Sequence, residues 1–193
     1  MLDAWEDYLD SGGRGMYMAA NGFYWVTSLH PRKPWVIEVR KGESGDQAWR
    51  ARPGELHHST TGERGGLWRN RARPPQKLWG TGYTAHGLDV SAGYVQMPDA
   101  RDPRLAWMTK GIDTHETIGN FGLVNGGAAG LEMDRIDYAL GTPPHTQLIA
   151  SSHGHSQNAL LVPEEQYFVS PGIDGIQDSR VRADIVYFTT RNG

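Results

Sequence analysis

Glu132 is the residue in this 193-residue chain best placed by type and spacing to do chemistry. The window from Ala128 to Leu140 predicts a helix, stopped by Gly141 and Pro143-Pro144. At about 100° per residue, Ala128, Ala129, Ile136, Ala139 and Leu140 then share one apolar stripe, with Glu132 in its middle. A carboxylate on a buried face must be paired or hold its proton more tightly, and both conditions prepare a general base for work near neutral pH. The competing reading is a structural ion pair, with Arg135 or an arginine from the long loop over 41–93 as partner.

The second chemical feature is Asn21-Gly22-Phe23-Tyr24-Trp25, which follows a Gly12-Gly13 break and the apolar run Met16 to Ala20. That run reads as a buried strand ending at an Asn-Gly turn, a way of displaying an amide and three aromatics at the edge of a sheet. Other groups carry less. His57-His58 and His153-Gly154-His155 each offer two imidazoles, with no third ligand at a recognisable metal spacing. Ser151-Ser152-His153 lacks the Gly-x-Ser-x-Gly elbow of a serine hydrolase. The run Gly126-Gly127-Ala128-Ala129-Gly130 has neither dinucleotide register nor a P-loop lysine, and reads as close backbone packing. With no cysteine, thiolate metal sites, Cys nucleophiles and disulfides are excluded.

These residues need elements to position them. Leu2, Trp5 and Leu9 lie at helical spacing with Asp3, Glu6, Asp7 and Asp10 opposite, which predicts an amphipathic helix over 2–10 capped by Ser11-Gly12-Gly13. Strands are predicted at 16–20, 35–40, 92–97, 105–108, 146–151 and 183–189. This cadence of helix, glycine stop and strand predicts an α/β layered domain with a mostly parallel sheet. Residues 41–93 show little periodicity and many Gly, Pro, Trp and Arg, so they read as a long loop-rich insertion within a single domain over 1–193. Within it, 49–79 has the composition of an interface, whose Trp49, Trp68 and Trp79 would need a partner surface. The first helix has no strand before it and Asn192-Gly193 has no strand after it, which reads as a piece of a longer polypeptide truncated at both ends. A formal charge of -3 and arginines placed near Glu55 and Glu63 argue against nucleic acid as a partner. No apolar run approaches the roughly 20 residues that span a bilayer, so a soluble, cytoplasmic protein with no membrane partner is expected.

Over nearly its whole length the chain resembles the large (beta) subunit family of N,N-dimethylformamidase. The resemblance is carried by Gly12-Gly13-Arg14, Met16-Tyr17-Met18, Asn21-Gly22-Phe23-Tyr24-Trp25, Thr61-Gly62-Glu63 and Gly65-Gly66-Leu67-Trp68-Arg69. It continues through Ile118-Gly119-Asn120-Phe121-Gly122-Leu123, Gly127-Ala128-Ala129-Gly130-Leu131-Glu132-Met133-Asp134-Arg135 and Leu140-Gly141-Thr142-Pro143. It implies an amidohydrolase that cleaves a small formamide to formate and an amine, on a glutamine-amidotransferase-like α/β domain lacking the nucleophilic Cys. It implies an iron held by two tyrosines and a glutamate, the glutamate in a His-x-Glu-Tyr-Trp motif that these residues do not contain. Iron is therefore expected in the complete enzyme and not in this chain, and Tyr17, Tyr24 and Tyr83 are not assigned as ligands. By position Asn21, Glu132 and Phe168 match the family's other site residues: an amide that orients substrate, a carboxylate base and an aromatic wall. The implied partners are a small subunit and a second large subunit. Where the family has Gly-Gly this chain has Ala19-Ala20, a change expected to matter little.

Function thus has three readings: the carboxy-terminal part of an iron-dependent formamidase, inactive alone; a non-catalytic α/β ligand-binding module in which Glu132 is a structural ion pair; and a subunit-assembly module built on 49–79.

Overall fold

Leu2–Asp10 folds as its pattern dictates, into helix α1 with Leu2 and Leu9 buried, and Gly12 at φ 89° turns the chain away. The computed structural model describes residues 1–193 except 19, 43, 46–49, 123, 166–177 and 191–193. Beyond α1 the architecture is built from strands. A hairpin joins β1 (Thr27–His30) to β2 (Lys33–Val39). After the one-turn helix α2 (Pro75–Trp79) comes β3 (Thr81–Ala92), then β4 (Tyr94–Gln96), β5 (Ala129–Ile136), β6 (Gln147–Ser152), β7 (Leu160–Leu161) and β8 (Asp184–Tyr187). Two three-stranded sheets result, in the orders β5-β3-β7 and β4-β6-β8, and their pairings are antiparallel. No helix among the described residues is long and apolar enough to cross a membrane.

The fold is therefore not the α/β layered domain with a mostly parallel sheet that the sequence predicts. Two misread elements explain the difference. The window 128–140 is strand β5 followed by a 3₁₀ turn at Tyr138–Leu140, not a helix. Its alanines fit either period, and Gly130 near the start of the window weakens a helix by about 1 kcal/mol relative to Ala. A Cβ at 130 would meet the Ser91 side chain at 2.0 Å, so glycine is what lets β5 close on β3. The partner strand β3 lies at the end of 41–93, where Gly82 and Gly87 interrupt the alternation and read as loop punctuation. Gly82 too is a close-approach position, since a Cβ there would meet the Gln76 side chain at 2.7 Å. The strands predicted around 35–40, 92–97, 146–151 and 183–189 are present as β2, β4, β6 and β8. Among the described residues those predicted at 16–20 and 105–108 are not: Met16 and Met18 are exposed on an irregular segment, and Pro103–Leu105 is a 3₁₀ turn.

Among the described residues four clusters make the core. Ala85, Met133, Leu161, Val181 and Ala183 fill one face of the β5-β3-β7 sheet, and Ile149 with Leu105 and Ala100 lies behind β6. Tyr24, Trp25, Leu67, Tyr83 and Val162 pack on the other side, beside a fourth cluster of α1 and α2 built from Leu2, Leu9, Leu78 and Trp79. Trp68 and Trp79 thus pack within this chain, against the expectation that they need a partner surface, while Trp49 lies outside the described residues. Three arginines of the basic segment pair within the chain: Arg71 with Glu63, Arg73 with Asp3 at 2.6 Å and Glu6 at 2.9 Å, and Arg69 with Glu165.

Candidate active site

The β3–β5 ladder sets the floor of the site. Its register places His86 opposite Glu132 and Tyr83 opposite Asp134, with Ala85 opposite Met133 between them. Residues three apart on a regular strand face opposite ways, but the ladder skips Thr84, and this bulge returns Tyr83 and His86 to one face. The Tyr83 hydroxyl and His86 Nδ1 lie 3.2 Å apart. Glu132 and Asp134, two apart on β5, share that face, whereas Met133 points into the core. Arg135, the ion-pair partner considered for Glu132, falls on the opposite face of the strand. There it is buried and bonded to Glu165 at 2.7 Å and Asp137 at 3.0 Å.

The segment from Tyr17 to Trp25 roofs this floor. Tyr17 stacks on Trp79 with ring centroids 5.4 Å apart, and its hydroxyl donates to the Ala20 carbonyl at 2.6 Å. Ala20 takes φ 68°, a left-handed conformation that reverses the chain and aims Asn21 at the floor. Asn21 Nδ2 then donates to Glu132 Oε1 at 2.6 Å. Tyr24 closes the far side, edge-on to Tyr83 at 5.0 Å. The structure thus brings together two of the three residues expected to act, Asn21 and Glu132, both half-buried; Phe168 lies outside the described residues. A cleft of about 330 Å³ beside α1, lined by Met1, Ala4, Trp5, Tyr8 and Arg14, holds no carboxylate and is a separate feature.

Asp134 is the group that sequence reasoning missed. It is 2 % exposed, and burial pushes its carboxyl up to about 8, aided by the charge of Glu132 and opposed by the Ala20 amide and Tyr17 hydroxyl. Burial likewise raises Tyr17 well above the usual tyrosine value, with the Asp134 charge adding to it. The signal was available in the alternation Glu132-Met133-Asp134, which puts two carboxylates on one face of a strand and would separate them on a helix.

The histidine pairs are divided by burial. His57 and His153 are exposed, while His58 and His155 are buried, the latter with Nε2 2.8 Å from Ser152 Oγ. Ser152 is itself sealed from solvent and accepts the Ala183 amide at 2.7 Å, so this Ser–His contact is a core hydrogen bond with no path to a substrate.

The whole chain, residues 1–193, matches the family described as N,N-dimethylformamidase beta subunit-like, C-terminal. The chain belongs to this family. It is 58 % identical over 191 residues to the N,N-dimethylformamidase beta subunit of an Alcaligenes species, covering 99 % of this chain and 25 % of that protein. The same figures hold for the N,N-dimethylformamidase beta subunit of Paracoccus aminophilus. The chain thus spans a quarter of the length of these relatives.

The iron implied by the family resemblance finds no complete ligand set here. Among the described residues there is no group of three or more His, Asp or Glu able to hold a metal ion. Tyr17 is held as a protonated phenol committed to the Ala20 carbonyl, and the Tyr83 hydroxyl is engaged with His86. These residues do not fit an iron centre. Ala20 also revises the expectation that Ala for Gly matters little, because a non-glycine residue in the left-handed region costs about 1 kcal/mol.

Proposed function

We propose that this chain contributes the substrate-orienting amide and the general base of an amidohydrolase that cleaves N-substituted formamides to formate and an amine. The observation that carries the reading is the 2.6 Å bond between Asn21 and Glu132, residues 111 positions apart. A half-buried carboxylate that accepts from a neutral amide has further lone pairs with which to take a water proton. The names of the relatives support dimethylformamide-like molecules as the substrate class.

Glu132 takes a proton from water as the water oxygen adds to the formyl carbon, and returns that proton to nitrogen as the C–N bond breaks. The products, formic acid and an amine, exchange a proton to leave formate and an ammonium ion. Asn21 turns the substrate so that the formyl carbon faces this water, and Phe168 is read as an aromatic wall for the N-alkyl groups. Iron, a small subunit and a second large subunit are read as belonging to the complete cytoplasmic enzyme, and none of the proton transfers above is routed through a metal.

The test is Glu132→Gln in the complete enzyme. It should leave folding intact and lower kcat by roughly 10²–10⁴. A Gln variant that melts early but turns over normally while folded would show that Glu132 is structural.

A further inference from the structure

Behind the Asn21–Glu132 pair lies the buried carboxyl of Asp134. Both carboxylate oxygens of Asp134 are shut off from solvent, and neither has a hydrogen bond of full geometry among the described residues. The groups that approach them are the Ala20 amide and the Tyr17 hydroxyl, both on the turn that carries Asn21. A phenol has one proton, and Tyr17 gives it to the Ala20 carbonyl at 2.6 Å. Toward Asp134 the Tyr17 oxygen can only accept, so the contact is satisfied when Asp134 brings a proton of its own. A protonated Asp134 would complete a ring, its O–H directed at Tyr17, the Tyr17 O–H on the Ala20 carbonyl, and the Ala20 amide directed at the other Asp134 oxygen.

We propose that Asp134 is a positioning residue that works as a neutral carboxylic acid, locking the left-handed Ala20 turn and so holding Asn21 on Glu132. From β5 it faces Glu132, from β3 Tyr83 and His86, from the roof Tyr17, and from β4 Tyr94, which senses both Asp134 and Asp184 of β8. Among the described residues no lysine or arginine pairs with it, and neighbouring Arg135 is taken by Glu165 and Asp137. Burial and the Glu132 charge both favour the protonated form. Ionisation would turn a second negative charge toward Glu132 and toward the lone pairs of Tyr17, and would open the turn.

Two measurements on the complete enzyme test this, with Asp134→Asn as the main variant because a carboxamide donates and accepts as a carboxylic acid does but cannot ionise. In the infrared spectrum at neutral pH the wild type should show a buried protonated-carboxyl band that Asp134→Asn lacks. Identical spectra would mean that Asp134 is ionised, paired with a cation from another part of the protein, and would overturn the proposal. The kinetic arm rests on the amidohydrolase reading above. Wild-type hydrolysis should decline as pH rises past about 8, Asp134→Asn should keep neutral-pH turnover within about threefold while losing that decline, and Asp134→Ala should lose at least about tenfold in kcat/KM. An unchanged alkaline decline in Asp134→Asn would overturn the proposal. A wild type that hydrolyses no formamide would instead refute the function, and the carboxyl band would then decide for or against Asp134 by itself.

Discussion

Asn21 and Glu132 divide the work differently, and substitution should separate them. Asn21 holds no proton that must move, so Asn21→Ala should weaken kcat/KM by less than Glu132→Gln does, with most of the loss in KM. Steady-state kinetics of both variants on one formamide checks this; a larger kcat loss at Asn21 would move the base assignment away from Glu132. One position along, Ala20→Gly should stabilise the fold by about 0.5–1 kcal/mol, because glycine adopts φ 68° without the Cβ clash. Thermal melts measure that gain. The sequence singled out Asn21 at an Asn-Gly turn and Glu132 on a helical apolar stripe; the two residues meet in the structure, but Glu132 lies on a strand where that stripe does not exist. The sequence did not make Asp134 legible, because that depends on whether the run is a strand or a helix, and the wrong period places Asp134 away from Glu132.

At the scale of elements the same period error decided the fold. β2, β4, β6 and β8 lie where apolar and β-branched runs predict them, but β3 is broken by glycines that serve close approach, and β5 carries alanines and a glycine that suit two periods. Local pattern cannot tell a glycine that ends a strand from one that lets a neighbour in; only the partner's position does. Beyond the strands, β5 is tied down by Arg135 and Glu165, buried to 6 % each, with Arg69 on the second Glu165 oxygen and Arg180 donating to the Glu165 carbonyl at 3.0 Å. Glu165→Ala removes the carboxylate that Arg135 and Arg69 share, leaving buried Arg135 with Asp137 as its one acidic partner among the described residues, and should cost about 3 kcal/mol. Chemical denaturation of the variant should show this loss with an unchanged slope against denaturant; a loss below about 1 kcal/mol would place the pair in effective contact with water.

For the molecule as a whole, Asp134 makes stability depend on pH in the direction opposite to most carboxylates. Its carboxyl is raised from 3.8 to about 8, so between these values the unfolded chain has released a proton that the native protein keeps. Stability from this group is complete below about pH 4 and drains away as pH rises toward 8. Wild type and Asp134→Asn compared at both ends of that window should diverge by a few kcal/mol, the variant gaining toward pH 8. Parallel curves would mean that the native carboxyl titrates normally. Distance along the chain has a further consequence. The bond from Asn21 to Glu132 closes over 111 residues, and Thr190 bonds the Leu9 carbonyl over 181. At about 5–20 residues per second on a ribosome, Asn21 waits roughly 5–20 s before Glu132 exists. During synthesis the roof of the site is made long before its floor, and its aromatic underside, Tyr17, Phe23 and Tyr24, must be kept from other nascent chains until β5 arrives.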